Sequence, residues 1–218
     1  WSRMIHEDKI RSGLAYGRRE YTHPKSVFSD AACSGVDEAL RTRLQQWAIH
    51  RAALLAKYVT ESGNVGEIQQ AEDAWEFGLY ASMAIMTFSV DFHEQFKSTY
   101  ALAEDSQTSF RRTFENLYPF TLDSVIVQSL SELGKFWNVL DPFEDEGELS
   151  ELKVLLRSID RMLGSVGLGW EEWTWDERDC ILLDAAYAEH SAVLSTWLPE
   201  AQQMYVDFVS GSGGVHVA

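Results

Sequence analysis

Apolar residues in this 218-residue chain recur at spacings of three, four and seven, and alternation with period two is almost absent. A repeat near 3.6 lines residues along one helical face, whereas a half-buried strand needs every second residue apolar. Between Val36 and Glu61 the stripe consists of Leu40, Leu44, Trp47, Ala48, Leu54, Leu55, Tyr58 and Val59. Gly63-Asn64 then offers the left-handed backbone on which helices commonly end. The spacing predicts a second helix over Gly66–Val90, with Ile68, Ala71, Trp75, Leu79 and Met83 facing inward. The connection is short enough for it to pack antiparallel on the first.

Two shorter helices are expected over Asp91–Ala103 and Ser106–Leu117, the latter stopped by Tyr118-Pro119, because the residue before a proline is steered out of helical backbone. Thr121 reads as the N-cap of a helix through Val125, Ile126, Leu130, Leu133 and Trp137. An acidic loop, Asp141 to Gly147, precedes a helix near Glu148–Leu163, and Gly164, Gly167 and Gly169 break the chain again. Asp176 is placed to cap a long helix through Ile181 to Trp197, followed by Pro199 and a shorter helix to Val209. The expected fold is therefore all-α, an antiparallel helical bundle or a short helical-hairpin array of about seven to nine helices. One helical domain is expected over 1–209, with halves 1–119 and 120–209, and a flexible Gly/Ser-rich tail over 210–218.

Eight Trp, eight Tyr and eleven Phe within 45% hydrophobic content can fill a core without covalent staples. Cys33 and Cys180 lie far apart with no CxxC spacing, so reduced structural thiols are expected. No apolar run approaches the ~20 residues that span a bilayer, and the first residues lack the apolar region of a signal peptide. The chain is read as cytoplasmic, with no membrane partner.

Net charge is −16, yet residues 1–60 carry +4 and the remainder −20. Phosphate affinity comes from clustered Lys and Arg, so the larger part is not expected to bind nucleic acid directly. A basic protein is the more natural partner, although acid in excess also simply keeps a chain soluble. The carboxylates concentrate in two stretches. Asp141, Glu144, Asp145, Glu146, Glu148 and Glu151 form the first, and Glu171, Glu172, Asp176, Glu177 and Asp179 surround Trp170, Trp173 and Trp175 in the second. Carboxylates steer and orient a partner, while tryptophan supplies rigid contact area once water is expelled. Three tryptophans within six residues cannot all face one interior on a single element, so one is expected near the surface. The candidate partner-binding residues are Glu144, Asp145, Glu146, Glu171, Glu172, Asp176 and Glu177, with Trp173 or Trp170 as anchor.

Nothing of comparable specificity points to catalysis, and an enzyme is not expected. A helical di-iron site wants Glu-x-x-His pairs; this chain offers Asp91-Phe92-His93-Glu94, Glu189-His190, His50 and Asp184. Adjacent helical residues point about 100° apart and do not chelate one ion. No metal and no cofactor are therefore expected, and His50 and His190 are read as polar residues at the edge of the core. Serine and histidine are plentiful but lie in no G-x-S-x-G context, and Gly164-x-x-Gly167-x-Gly169 lacks the strand and the Lys-Ser/Thr of a phosphate loop.

The stretch Leu54-Leu55-Ala56-Lys57-Tyr58-Val59-Thr60-Glu61-Ser62-Gly63-Asn64-Val65-Gly66-Glu67-Ile68 is similar to the "ARYSAG-x-x-IEEI" segment of the immunity proteins that accompany PoNe-type DNase toxins. The Trp170–Trp175 cluster, followed by Ala185-Ala186-Tyr187-Ala188-Glu189-His190-Ser191-Ala192-Val193-Leu194, resembles that family's "W…YW-x-FE-x-AAVAK-x-L" region. The chain lacks the Gly-Tyr-Trp triplet before the last helix and carries His190-Ser191 within the alanine run. The resemblance implies an all-helical cytosolic antitoxin, monomeric or dimeric, that blocks the active site of a basic nuclease toxin with acidic residues. A second reading, from a different class, is a structural subunit of a viral or phage assembly.

Overall fold

The structure is a computed structural model that describes residues 38–63, 65–66, 68–122, 124, 151–170 and 177–210. Among the described residues it consists of helices α1 (Glu38–Ser62), α2 (Ala71–Asp91), α3 (His93–Ser106), α4 (Phe110–Leu117), α5 (Glu151–Ser165) and α6 (Glu177–Ser210), with no named strand. The all-α expectation holds, and the described helices number six, against the about seven to nine expected. The helix expected after Thr121 lies outside the described residues beyond Ser124, but its start is visible: Thr121 Oγ1 accepts from the Ser124 backbone N–H at 3.0 Å. The expected tail over 210–218 also lies, beyond Ser210, outside them. No described helix is long and apolar enough to cross a membrane.

The chain divides into two compact units, each assembled from separated stretches. One contains α2 from Tyr80 onward, α3 and α4; the other contains α1 from Thr42, α2 to Leu79, α5 and α6.

The first unit is organised on Phe88. Its ring meets Phe96, Phe110, Phe114 and Tyr118 edge-on, with centroids 5.3–6.1 Å away, and tilts against Phe92 at 6.1 Å. Edge-to-face contacts suit the aromatic quadrupole and add about 0.5–1.5 kcal/mol per pair beyond area burial. Gln107, in left-handed backbone at φ 53°, closes α3, and the Ser109 hydroxyl caps α4 by accepting from the Arg112 N–H at 3.1 Å. Ser106, the expected first residue of that helix, is instead the last residue of α3, and Ser109 takes the cap.

In the second unit α1 is buried almost all round from Trp47 to Ala56, not along a single stripe. Its alanines make this feasible, because small side chains let neighbouring backbones approach. At Gly78 of α2, an added Cβ would fall 2.7 Å from Ala52 Cα. α5 is amphipathic in the ordinary way, burying Leu152, Leu155, Leu156, Ile159, Met162 and Leu163.

Three helix boundaries differ from expectation for physical reasons. α2 starts at Ala71, because Val65 and Ile68 exchange backbone hydrogen bonds of 3.0 and 3.1 Å and bury both side chains in the connection. α5 runs through Gly164 to Ser165, and its end is closed by the Leu168 and Gly169 N–H groups donating to Leu163 O. α6 continues through Pro199. A proline deprives the carbonyl four residues earlier of its donor, but Ser195 and Pro199 are both exposed, so water can take the missing place.

Candidate functional site

Most of the acidic candidates lie outside the described residues. Glu144, Asp145, Glu146, Glu171, Glu172, Trp173 and Asp176 lie outside the described residues, and Glu177 is described only as the first residue of α6. Trp170 is described, and it points inward. It is 5% exposed and packs on Trp47 with centroids 6.1 Å apart, so it belongs to the core and is not available as an anchor. Its burial follows from the turn after α5, which ties Leu168 and Gly169 back to Leu163.

The pairing of Trp47 with Trp170 adjoins a polar cluster that joins α1 to α5. Trp47 Nε1 donates to Asp160 Oδ1 at 2.9 Å, and Arg51 Nε lies 3.0 Å from the same oxygen. The latter is an ion pair without the alignment of a hydrogen bond. The Arg51 guanidinium also sits 5.2 Å from the Trp47 ring centroid, an attraction of about 0.5–2 kcal/mol depending on desolvation. A carboxylate holding a buried arginine and an indole at once is a structural tie between helices.

Three further contacts hold α1 to α6, and their order runs antiparallel. His50 stacks on Tyr205 with centroids 5.1 Å apart, Lys57 Nζ bridges Glu61 and Glu200 at 2.9 Å each, and Tyr58 meets Trp197 and His190 edge-on. Lys57 is held above its ordinary pKa of 10.5, first by its hydrogen bond to Glu200 and then by that to Glu61.

His50, expected at the edge of the core, is 1% exposed. Its Nδ1 lies 2.7 Å from Gln46 O, and since a carbonyl can only accept, the ring proton is on Nδ1. Nε2 therefore carries the lone pair, and among the described residues it has no hydrogen-bond partner. Burial pushes the His50 pKa below 6.5, and the Gln46 hydrogen bond opposes this without cancelling it.

His190 is half-buried, with Nδ1 3.2 Å from Ser158 Oγ, a pairing that superficially suggests nucleophile and base. Ser158 is 1% exposed, and its hydroxyl donates to Val154 O at 2.9 Å. With that proton committed to the backbone, Nδ1 must donate to Oγ, so the histidine is oriented to hold the serine and not to deprotonate it. Among the described residues no three His, Cys, Asp or Glu side chains gather as a metal site.

What remains for function is the charge turned outward. Among the described residues Glu38, Glu61, Glu72, Asp73, Glu94, Glu104, Asp105, Glu115, Glu151 and Glu200 are exposed, whereas the exposed bases are Lys97 and Arg112. Arg41, Arg43, Lys57, Arg111, Lys153, Arg157 and Arg161 are half-buried, their long stems partly withdrawn from water, and Arg51 is buried. Nothing in the sequence marks that asymmetry beyond net charge.

Comparison with known proteins gives no match: no family model, no curated protein and no solved structure is significantly similar to the chain.

Proposed function

We propose that this chain is an acidic, helical protein-binding module of the cytoplasm, an immunity protein that neutralises a basic nuclease toxin by covering its active site. The observation that carries the reading is the outward charge: exposed carboxylates far outweigh exposed bases among the described residues, while most arginines and lysines there are at least half-buried. A nuclease surface is basic because it holds phosphates, so a carboxylate surface can occupy it and be steered to it through solution. Glu144, Asp145, Glu146, Glu171, Glu172, Asp176 and Glu177 are the carboxylates assigned to the toxin, with Trp173 as the apolar anchor in place of Trp170. No cofactor is needed for occlusion, and the module works as a monomer or a homodimer.

The test is a pull-down of the tagged chain from its native cytosol at low and at moderate salt, with mass spectrometry of the eluate. A basic nuclease that is retained at low salt, released by moderate salt, and inhibited by the purified chain is the expected result. Recovery of the chain alone, or a nuclease whose activity is unchanged on binding, overturns it. Charge reversal at Glu171 and Glu172 together should slow association and flatten its salt dependence, because less attraction is left for salt to screen.

A further inference from the structure

We propose that His50 is an acid-sensitive latch: taking up a proton there loosens α6 from α1 at Tyr205. The inference is independent of the toxin reading and rests on three observations. The ring is 1% exposed; its Nδ1–H is spent on Gln46 O at 2.7 Å; and Nε2 is buried with no hydrogen-bond partner among the described residues. In the neutral ring this bare lone pair is an uncompensated acceptor. In the protonated ring it becomes an N–H that still finds no acceptor, now carrying charge as well.

Among the described residues the surroundings supply little to stabilise that charge. From α6 the facing group is Tyr205, whose ring stacks on the imidazole at 5.1 Å. From α5 the charged group presented to this part of α1 is Asp160, already taken up by Trp47 and Arg51. Along α1 the adjacent charge is Arg51 itself, of the same sign as an imidazolium. Among the described residues no carboxylate lies in ion-pair reach of His50. The Gln46 carbonyl and the Tyr205 face favour the cation, but burial outweighs the hydrogen bond and holds the ring neutral. The cheapest relief is for the ring to reach water, and the described ring that packs on it and must part from it is Tyr205. His50 thus couples proton uptake to release of this stretch of α6, while Lys57–Glu200 and Tyr58–Trp197 remain as separate ties.

The sign is fixed by linkage. The folded chain binds this proton less readily than the unfolded chain, so the latch contributes fully above pH 6.5 and is lost as pH falls below it. Between pH 7.5 and 5.0 the single site can raise the unfolding equilibrium constant by up to about 30-fold. Two measurements on the full chain test this. Urea unfolding at those two pH values should show the wild type losing up to about 30-fold more in its folding equilibrium than His50→Phe, which keeps a ring on Tyr205 but cannot titrate. Independently of any variant, NMR of the wild type should show the His50 ring titrating below the ordinary histidine value, with Tyr205 ring resonances shifting at the same midpoint. A His50 ring that protonates at its ordinary value overturns the proposal. So does a Tyr205 environment that stays fixed while His50 titrates, or an equal acid loss in wild type and variant.

Discussion

The Cβ that an alanine would place at Gly78 of α2 falls 2.7 Å from Cα of Ala52 on α1. The blocking atom is backbone, so no side-chain rotation relieves it. Alanine for glycine inside a helix ordinarily stabilises by about 0.5–1 kcal/mol, because glycine loses more freedom on folding. Here the sign reverses: Gly78→Ala should destabilise by about 1–3 kcal/mol in urea unfolding. Ala52→Gly in the same chain should not rescue it, since the Cα remains. Full rescue by Ala52→Gly would show that the two helices touch through side chains instead.

Phe88 lies at the middle of the aromatic cluster of α2, α3 and α4, and it is fully buried. Phe88→Ala should cost about 3–5 kcal/mol, and a near-neutral result would mean that the surrounding rings do not pack as described. Near-UV circular dichroism of the variant should lose intensity, because the edge-on neighbours lose their fixed partner.

Asp160→Asn retains an acceptor for Trp47 and removes the negative charge beside Arg51, whose side chain is 7% exposed. Taking that anion away from a buried arginine should cost about 1–3 kcal/mol. Arg51→Met should then cost less when Asp160→Asn is already present than it does in the wild type. Additive losses in this cycle would mean that the pair is not coupled.

Lys57 has its pKa raised by Glu200 and Glu61, so its stabilising contribution is complete below pH 10.5 and is lost as pH rises through the raised value. Glu200 is 61% exposed, which limits the bridge to about 0.2–1 kcal/mol and makes it salt-sensitive. The stabilities of wild type and Lys57→Met should therefore differ below pH 10.5 and approach each other as pH rises through the raised value. Parallel curves throughout would mean that the bridge adds nothing to stability.

The helical class was legible because the 3.6-residue period is a local property. Tyr118-Pro119 and Gly63 were legible as helix ends for the same reason, and Tyr118 (φ −124°) and Gly63 (φ +92°) do leave helical backbone there. Burial on more than one face was harder to read. Alanine occupies both surface and core, so Ala52, Ala53 and Ala56 give no sign that α1 is enclosed. Asp160 was missed altogether, since a carboxylate on an amphipathic helix looks solvated and its partner Trp47 is 113 residues away. Pro199 misled in the opposite direction: a proline on the exposed side of a helix interrupts less than one facing the core. The candidate acidic surface was read from composition, and of its proposed anchors Trp170 is accounted for by packing against Trp47.

The connection between α1 and α2 has a consequence for how the chain can be cut. Val65 and Ile68 are 0% and 2% exposed and clasp each other through paired backbone hydrogen bonds. A protease must draw several residues into an extended strand in its cleft, and here that would mean pulling two core side chains into water. The joint after α3 offers an easier substrate, because Glu104, Asp105, Ser106 and Gln107 are all exposed. Between these two joints, limited digestion of the native chain should nick the one near Gln107 and spare the shorter-looking turn at Gly66. Segments on either side of the first joint would then stay together as one resistant fragment.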